Sequence, residues 1–232
     1  LSHFAGKLPV PKIIQKVTPE EDLAGAILME YLEGALLRVE DLDESLCYQI
    51  GLYLAKIHSE KVDAYGDLSD PLSLNLDPRI CFSLKFEEAM EECKDHLPHE
   101  LLDKCRQLFE KQIDAVLETD GPCIVHRDFR PGNLIINQGK IEGIIDWSSA
   151  RGGFAEEDFA FPWPIHHNAF IEGYASVRTV PNYSPILPLL RLSRALGAVG
   201  FTVKRGIWQD RGAELYQRNR MILETIKIGD ST

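Results

Sequence analysis

The sequence has no CxxC pair, no basic excess and no apolar run of membrane length, and each absence removes a class of protein. Its five cysteines, Cys47, Cys81, Cys93, Cys105 and Cys123, are odd in number and widely spaced. They suit neither a disulfide framework nor a zinc finger and read as reduced thiols of a cytosolic protein. Lys and Arg total 25 against 36 Asp and Glu, a net charge of −11. No nucleic-acid partner is expected, because neutralising phosphates needs a basic face. The N-terminal LSHFAGKLPVPKII has no basic stretch leading into an apolar one, so no signal peptide is visible. The longest apolar-rich run, residues 25–37, is broken by Glu30 and Glu33 and falls short of the ~20 residues a span needs. The expectation is a soluble, cytoplasmic protein without a membrane segment.

What is present is ordinary globular material. With 232 residues, 44% apolar and 26% charged, the chain suits one large domain or a two-lobed unit, and disordered or fibrous readings drop out. The charge is uneven: residues 170–232 hold nine basic and five acidic side chains, so the acidity lies before them. Acidic solvated helix faces are the commoner cause of such a bias, and a cationic substrate the sharper one.

Along the chain the apolar period changes twice. Residues 11–17 and 23–31 read as strands around the polar turn TPEED, a pair too small to stand alone. Helical spacing begins near Asp41, where Asp41 and Glu44 resemble a capping box, and runs through Leu42, Leu46, Ile50, Leu54 and Ile57. Residues 62–84 look like loop, 86–95 like helix, and a further helix starts at Pro98 and ends at Gly121-Pro122. Short strands then follow at 123–125, 134–137 and 140–145, the last two flanking Gln138-Gly139, a hairpin signal. Helices resume at about 165–177, 186–205 and 209–227. The class is α+β, mainly helical with an embedded β element, and no repeat or linker is visible.

The β element carries the chemistry: HRDFRPGN at 126–133, the hairpin, then IIDW at 144–147. Antiparallel pairing about a turn near residue 139 brings residue 146 back opposite about residue 132, so Asn133 and Asp146 should converge at the open end. An amide oxygen beside a carboxylate suits a hard cation that keeps some waters, which fits Mg²⁺ shared with phosphates. Asp128, on the loop entering the same end, can orient a substrate hydroxyl and accept its proton. His126 at the strand end is better placed to fix the loop by hydrogen bonds. Singly, Asp, Asn, Gly and Pro are turn formers. H-x-D-x4-N followed by a hairpin and an apolar-apolar-Asp is more than turn preference explains.

On these residues the sequence resembles the aminoglycoside phosphotransferase and choline kinase-like family of the protein-kinase-like fold. HRDFRPGN is similar to its catalytic loop and IIDW to its metal-binding motif. The resemblance implies Asp128 as catalytic base, Asn133 and Asp146 as Mg²⁺ ligands, and ATP as phosphoryl donor to a hydroxyl of a small molecule. It implies structural support of the loop from His126 and from Asp158 in EEDFA. ILMEYLEG at 27–34 resembles the hinge, where the Glu30 carbonyl and Leu32 amide would meet the adenine edge with Met29 behind it. LAKIH at 54–58 and FIEGY at 170–174 resemble family helices. The expected organisation is residues 1–33 as the last strands of the nucleotide lobe and the hinge, and 34–232 as the helical catalytic and substrate lobe.

Several features depart from the family pattern. Ser148 stands where many relatives have a second acid, and Arg130 where many have His. Arg127 gives the loop an HRD look, yet no Ala-Pro-Glu or long activation segment follows Asp146. No G-x-G precedes the hinge, and Lys7, Lys12 and Lys16 read as surface lysines, so the glycine-rich loop and phosphate lysine of the family are not in this sequence. The competing expectation is a non-catalytic, pseudokinase-type nucleotide- or partner-binding protein should the chain truly start at residue 1. A metal-dependent hydrolase is a weaker third, since it needs more ligands near the hairpin. Glu87, Glu88, Glu91 and Glu92 form either a cationic-substrate patch or a solvated face. Trp163 and Tyr174 are cleft or core, and His166-His167 are surface residues rather than metal ligands.

Overall fold

Asp43, two residues later than expected, starts the first helix. The computed structural model, which describes residues 1–20, 25–160 and 166–226, has α1 at Glu44–His58, with the Asp43 carboxylate accepting the Leu46 amide at 2.7 Å. A cap of this kind contributes about 1 kcal/mol. The Asp41–Glu44 box does not form because Arg38 holds Asp41 through two hydrogen bonds of 2.7 and 2.8 Å in a short 3₁₀ turn. The apolar face is as read, with Leu42, Leu46, Ile50, Leu54 and Ile57 all buried.

The chain divides into two units, residues 1–61, 123–151 and 161–180 in the first, 62–122, 152–160 and 181–232 in the second. In the first, β1 (Ile13–Val17) and β2 (Ala26–Met29) pair antiparallel from Val17–Ala26 to Ile13–Met29. Every residue of β2 is exposed, and of β1 only Ile13 is half-buried, so among the described residues little covers this strand pair. The expected start of the second strand at residue 23 lies outside the described residues. A strand the sequence reading missed, β3 (Ala35–Leu36), pairs with β5 (Leu134–Asn137), which pairs with β6 (Lys140–Ile144) in the order β3-β5-β6. Gly34 permits that approach: its φ is 138°, and a Cβ there would lie 2.4 Å from the Ile136 carbonyl oxygen. The β5–β6 turn is Gln138-Gly139 with φ of 49° and 74°, the doubly left-handed turn that matches strand twist. Gln49 of α1 brackets it, donating to the Gly139 carbonyl at 3.0 Å and accepting from the Ile141 amide at 3.1 Å.

Helix α4 (His167–Ala175) packs on α1 through two glycines. A Cβ on Gly51 would sit 1.9 Å from the Phe170 carbonyl oxygen, and one on Gly173 would sit 2.0 Å from that of Tyr48. Tyr174 is fully buried and its hydroxyl meets His58 Nδ1 at 2.9 Å, so it belongs to the core and not to a cleft. Trp163 lies outside the described residues. The N-terminal residues also join this unit: Phe4, Leu8 and Val10 are buried, the Phe4 ring lies 4.9 Å from that of Trp147, and the Pro9 carbonyl accepts the Ile144 amide at 2.7 Å.

The second unit is built on α2 (Pro78–Cys93), α3 (His99–Gln112), α5 (Leu187–Lys204) and α6 (Ala213–Thr225). Helix α2 starts at Pro78 rather than near Phe86, because Pro78 is a first-turn proline behind the Asp77 cap, which accepts the Arg79 amide at 2.9 Å. Phe86 and Phe109 stack at 3.8 Å in its core. The four glutamates of α2 are all ion-paired: Glu87 with Arg106, Glu88 with Lys85, Glu91 with Lys94 and Glu92 with Lys204. This favours the solvated-face reading. Among the described residues one stretch, Ser184–Lys204, is long and apolar enough to cross a membrane, longer than the run at 25–37. It contains the helix that packs on both α2 and α6. All five cysteines are buried, and burial pushes the Cys93 thiol up to about 12 and Cys105 to about 11.

Two substitutions test this packing. Gly51→Ala places a methyl against backbone that cannot yield cheaply, so denaturant unfolding should show a loss of about 3 kcal/mol. An unchanged midpoint would mean that α1 and α4 are not in close contact. Phe4→Ala should free the N-terminal segment from the hairpin. Its mark in hydrogen exchange is an Ile144 amide that exchanges roughly tenfold faster or more, while α5 amides keep their rates.

Candidate active site

The loop that joins β4 (Cys123–Val125) to β5 is held at both ends. β4 is buried and its Ile124 amide donates to the Glu60 carbonyl at 2.9 Å, just past the end of α1. At the strand end His126 is fully buried, and its Nε2–H donates to the Ile145 carbonyl at 3.1 Å. Its ring lies 4.6 Å from that of Trp147 and 5.6 Å from that of Phe129. With Phe4 on the far side of Trp147, the three rings tie the N-terminal segment, the loop and the chain after β6 together. The Trp147 indole N–H is in turn satisfied by the Ile144 carbonyl at 2.9 Å.

Arg127 has a left-handed backbone, φ 65°, a conformation that bulky residues adopt where surrounding structure enforces it. Asp128 follows, with its side chain 30% exposed. Asn133, buried at the end of the 3₁₀ turn Pro131–Asn133, donates from Nδ2 to the Asp128 main-chain carbonyl at 2.8 Å and to its Oδ2 at 2.7 Å. Arg130 Nε donates to both Asp128 carboxylate oxygens at 3.1 Å. Two side chains, Asn133 and Arg130, therefore fix the Asp128 carboxylate at the loop surface.

The hairpin register continues this arrangement. Leu134 pairs with Ile144 and the Ile145 amide donates to the Asn133 carbonyl at 3.0 Å, so the next position out on β6 is Asp146, opposite Gly132. Asp146 is exposed, with φ 59° and ψ 64°, and its Oδ1 accepts the Ser148 hydroxyl at 2.7 Å. Asn133 and Asp146 thus leave the same end of the hairpin.

Their chemistry fits a hard divalent cation. Because the Asn133 amide nitrogen faces Asp128 with both bonds, Oδ1 is directed elsewhere and takes no hydrogen bond among the described residues. A carbonyl-type oxygen and a carboxylate are the donors Mg²⁺ takes, with waters and phosphates completing the shell. The described residues hold no group of three or more His, Cys, Asp and Glu side chains that could bind a metal, His166 and His167 included.

Met29 and Glu30 are exposed and Leu32 is half-buried. The Glu30 amide donates to the Lys12 carbonyl at 2.9 Å. Among the described residues the Glu30 carbonyl and the Leu32 amide take no backbone partner. The Leu32 side chain lies over β6, where a Cβ on Gly143 would be 2.7 Å from its Cδ1. Lys7, Lys12 and Lys16 are exposed. Asp158 is buried in the 3₁₀ turn Ala155–Ala160 of the second unit. Sequence reading missed two features, the Phe4–Trp147–His126 rings and the Arg130–Asp128 bond. The signal for the second was present, since an arginine two residues from an aspartate in a tight loop can reach it.

The family model for the phosphotransferase enzyme family APH matches residues 1–183. No curated protein matches the sequence. Among solved structures, the gentamicin complex of APH(2")-IIa superposes with a TM-score of 0.64 at 18% identity, covering 94% of this chain and 75% of that one. APH(4)-Ia superposes at 0.69 with 16% identity over 97% and 78%. A thermostable mutant of APH(4)-Ia in ternary complex with AMP-PNP and hygromycin B gives 0.68 at 16% identity over the same shares. At these identities the likeness shows the fold, which is protein-kinase-like as expected. The family match spans the ILMEYLEG segment at 27–34, the HRDFRPGN loop and the hairpin, and the chain belongs to the APH phosphotransferase enzyme family.

Proposed function

We propose that the protein is an ATP- and Mg²⁺-dependent phosphotransferase of the cytoplasm. It would move the γ-phosphoryl group to a hydroxyl of a small molecule of aminoglycoside, amino alcohol or sugar type. The observation that carries this reading is the pairing of Asn133 with Asp128. It leaves a carboxylate at the loop surface and an amide oxygen beside the end from which Asp146 emerges. The ternary complex of a structural neighbour with AMP-PNP and hygromycin B supports an adenine nucleotide as donor and a small molecule as acceptor.

In this reading Asp128 accepts a hydrogen bond from the acceptor hydroxyl and aims its oxygen at the γ-phosphorus. The acceptor O–P bond forms, the bond from the γ-phosphorus to the bridging oxygen breaks, ADP leaves, and the hydroxyl proton passes to the Asp128 carboxylate. Asn133 and Asp146 would hold Mg²⁺, which supplies charge neutralisation on the donor phosphates. Asn133 also sets the Asp128 rotamer through its amide. His126 keeps Ile145, and so Asp146, in place through the carbonyl it binds. The Glu30 carbonyl and Leu32 amide would receive the adenine edge with Met29 beside it, and a bracing role for Asp158 belongs to the same reading.

Asp128→Ala should lower phosphoryl transfer by about 10²- to 10⁴-fold and leave ADP affinity within twofold. Coupled ADP release and calorimetric titration read the two quantities. Turnover at the wild-type rate would remove Asp128 from the mechanism. Asp146→Ala should abolish the Mg²⁺ dependence of nucleotide binding together with transfer.

A further inference from the structure

We propose that Arg130 selects the acceptor: its terminal guanidinium nitrogens take an anionic group, a carboxylate or a phosphate, on the small molecule whose hydroxyl meets Asp128. The proposal rests on the phosphotransfer reading but replaces its cationic aminoglycoside and amino-alcohol acceptors with anionic alcohols.

The argument starts from which nitrogens are used. Arg38 binds Asp41 through Nε and Nη2, Arg79 engages Asp77 and Asp114 through all three nitrogens, and Arg106 grips Glu87 through Nη1 and Nη2. Arg130 presents only Nε to its carboxylate, at 3.1 Å from each oxygen, as Arg220 does to Glu224 on the surface of α6. Its side chain is 42% exposed and neither Nη has a partner among the described residues. A guanidinium is planar, so fixing Nε on Asp128 also fixes where the two Nη groups lie. The result is a pair of N–H donors held in a set place beside the base, in the fork that matches a carboxylate or phosphate.

Gly132 keeps the space for it. A Cβ at that position would lie 2.6 Å from Arg130 Nη1, so any larger residue displaces the guanidinium from its place over the loop. The distance also fits one molecule. An oxyanion at about 2.8 Å from Nη is within a few bonds of a hydroxyl on Asp128, the span of a hydroxy acid or of an alcohol phosphate. A polycationic acceptor would instead put ammonium groups against this arginine.

The test is calorimetric titration of the whole chain, saturated with ADP, using glycerol 3-phosphate, glycerate, glycerol and gentamicin as probes. Wild type should bind the two anions at least tenfold more tightly than glycerol. Arg130→Gln should erase that margin at unchanged ADP affinity, and Arg130→Lys, which keeps the charge and loses the fork, should retain part of it. Equal affinity for glycerol 3-phosphate and glycerol, or a preference for gentamicin, overturns the proposal from wild type alone, whatever the folding of the variants. So does an Arg130→Gln variant that still prefers the anions, or one whose ADP affinity falls with theirs, which would place Arg130 on the donor. The kinase reading fails separately, through undiminished turnover in Asp128→Ala, and that result leaves the anion titration intact.

Discussion

A slip of one residue in the pairing of β5 with β6 would move side chains of the hairpin to the opposite face and change which residue stands opposite Asp146. The site depends on that register. Three independent devices hold it: the Gln138-Gly139 turn, whose two left-handed residues leave no room for a longer loop, the Gln49 side chain that grips both sides of the turn, and the buried Leu134–Ile144 pair at the other end. The irregularity between Ile135 and Ile136 is absorbed between these anchors. Because α1 supplies Gln49 and is itself seated on α4 through Gly51 and Gly173, the hairpin inherits its position from helix packing.

The loop from His126 to Asn133 has no such regular ladder, so side chains do the same work. Asn133 reaches back five residues to bind both the main chain and the carboxylate of Asp128, which closes the loop on itself. His126 anchors the start of the loop to the carbonyl just before Asp146. One end of the loop therefore cannot move without the other end of the hairpin. The aromatic rings of Phe4, Trp147 and His126 extend the coupling to the N-terminal residues.

Short-range patterns were legible in the sequence and long-range ones were not. The hairpin turn and the apolar face of α1 follow from local spacing, and the structure has them. The opposition of residues 132 and 146 owes one position to the register shift between Ile135 and Ile136, without which the two-residue turn would set Gly132 against Ile145. The start of α2 was misread because Pro78 in a polar stretch looks like a breaker, whereas a cap at Asp77 makes it a first-turn residue. The α1 cap was misplaced because Asp41 and Asp43 are equivalent by pattern, and the presence of Arg38 decides between them. β3 is two residues long and exists through pairing with a strand about a hundred positions away, which no local period announces. The ring contacts of Phe4 are of the same kind.

What remains once the loop has satisfied its own polar atoms is informative. Asp128, Arg130, Asn133 and Ser148 bind one another or Asp146, and among the described residues three sets of atoms are left over: the Asn133 amide oxygen, the second oxygen of Asp146 and the paired Nη groups of Arg130. Two are acceptors at the end of the hairpin and the third is a donor pair beside Asp128. Polar clusters that serve stability alone gain most when every member is satisfied internally. This loop instead presents acceptors where the proposed reading puts a cation and donors where it puts an anion. That arrangement is easier to reconcile with a site that binds charged ligands of both signs than with a turn whose polar residues serve only to bend the chain.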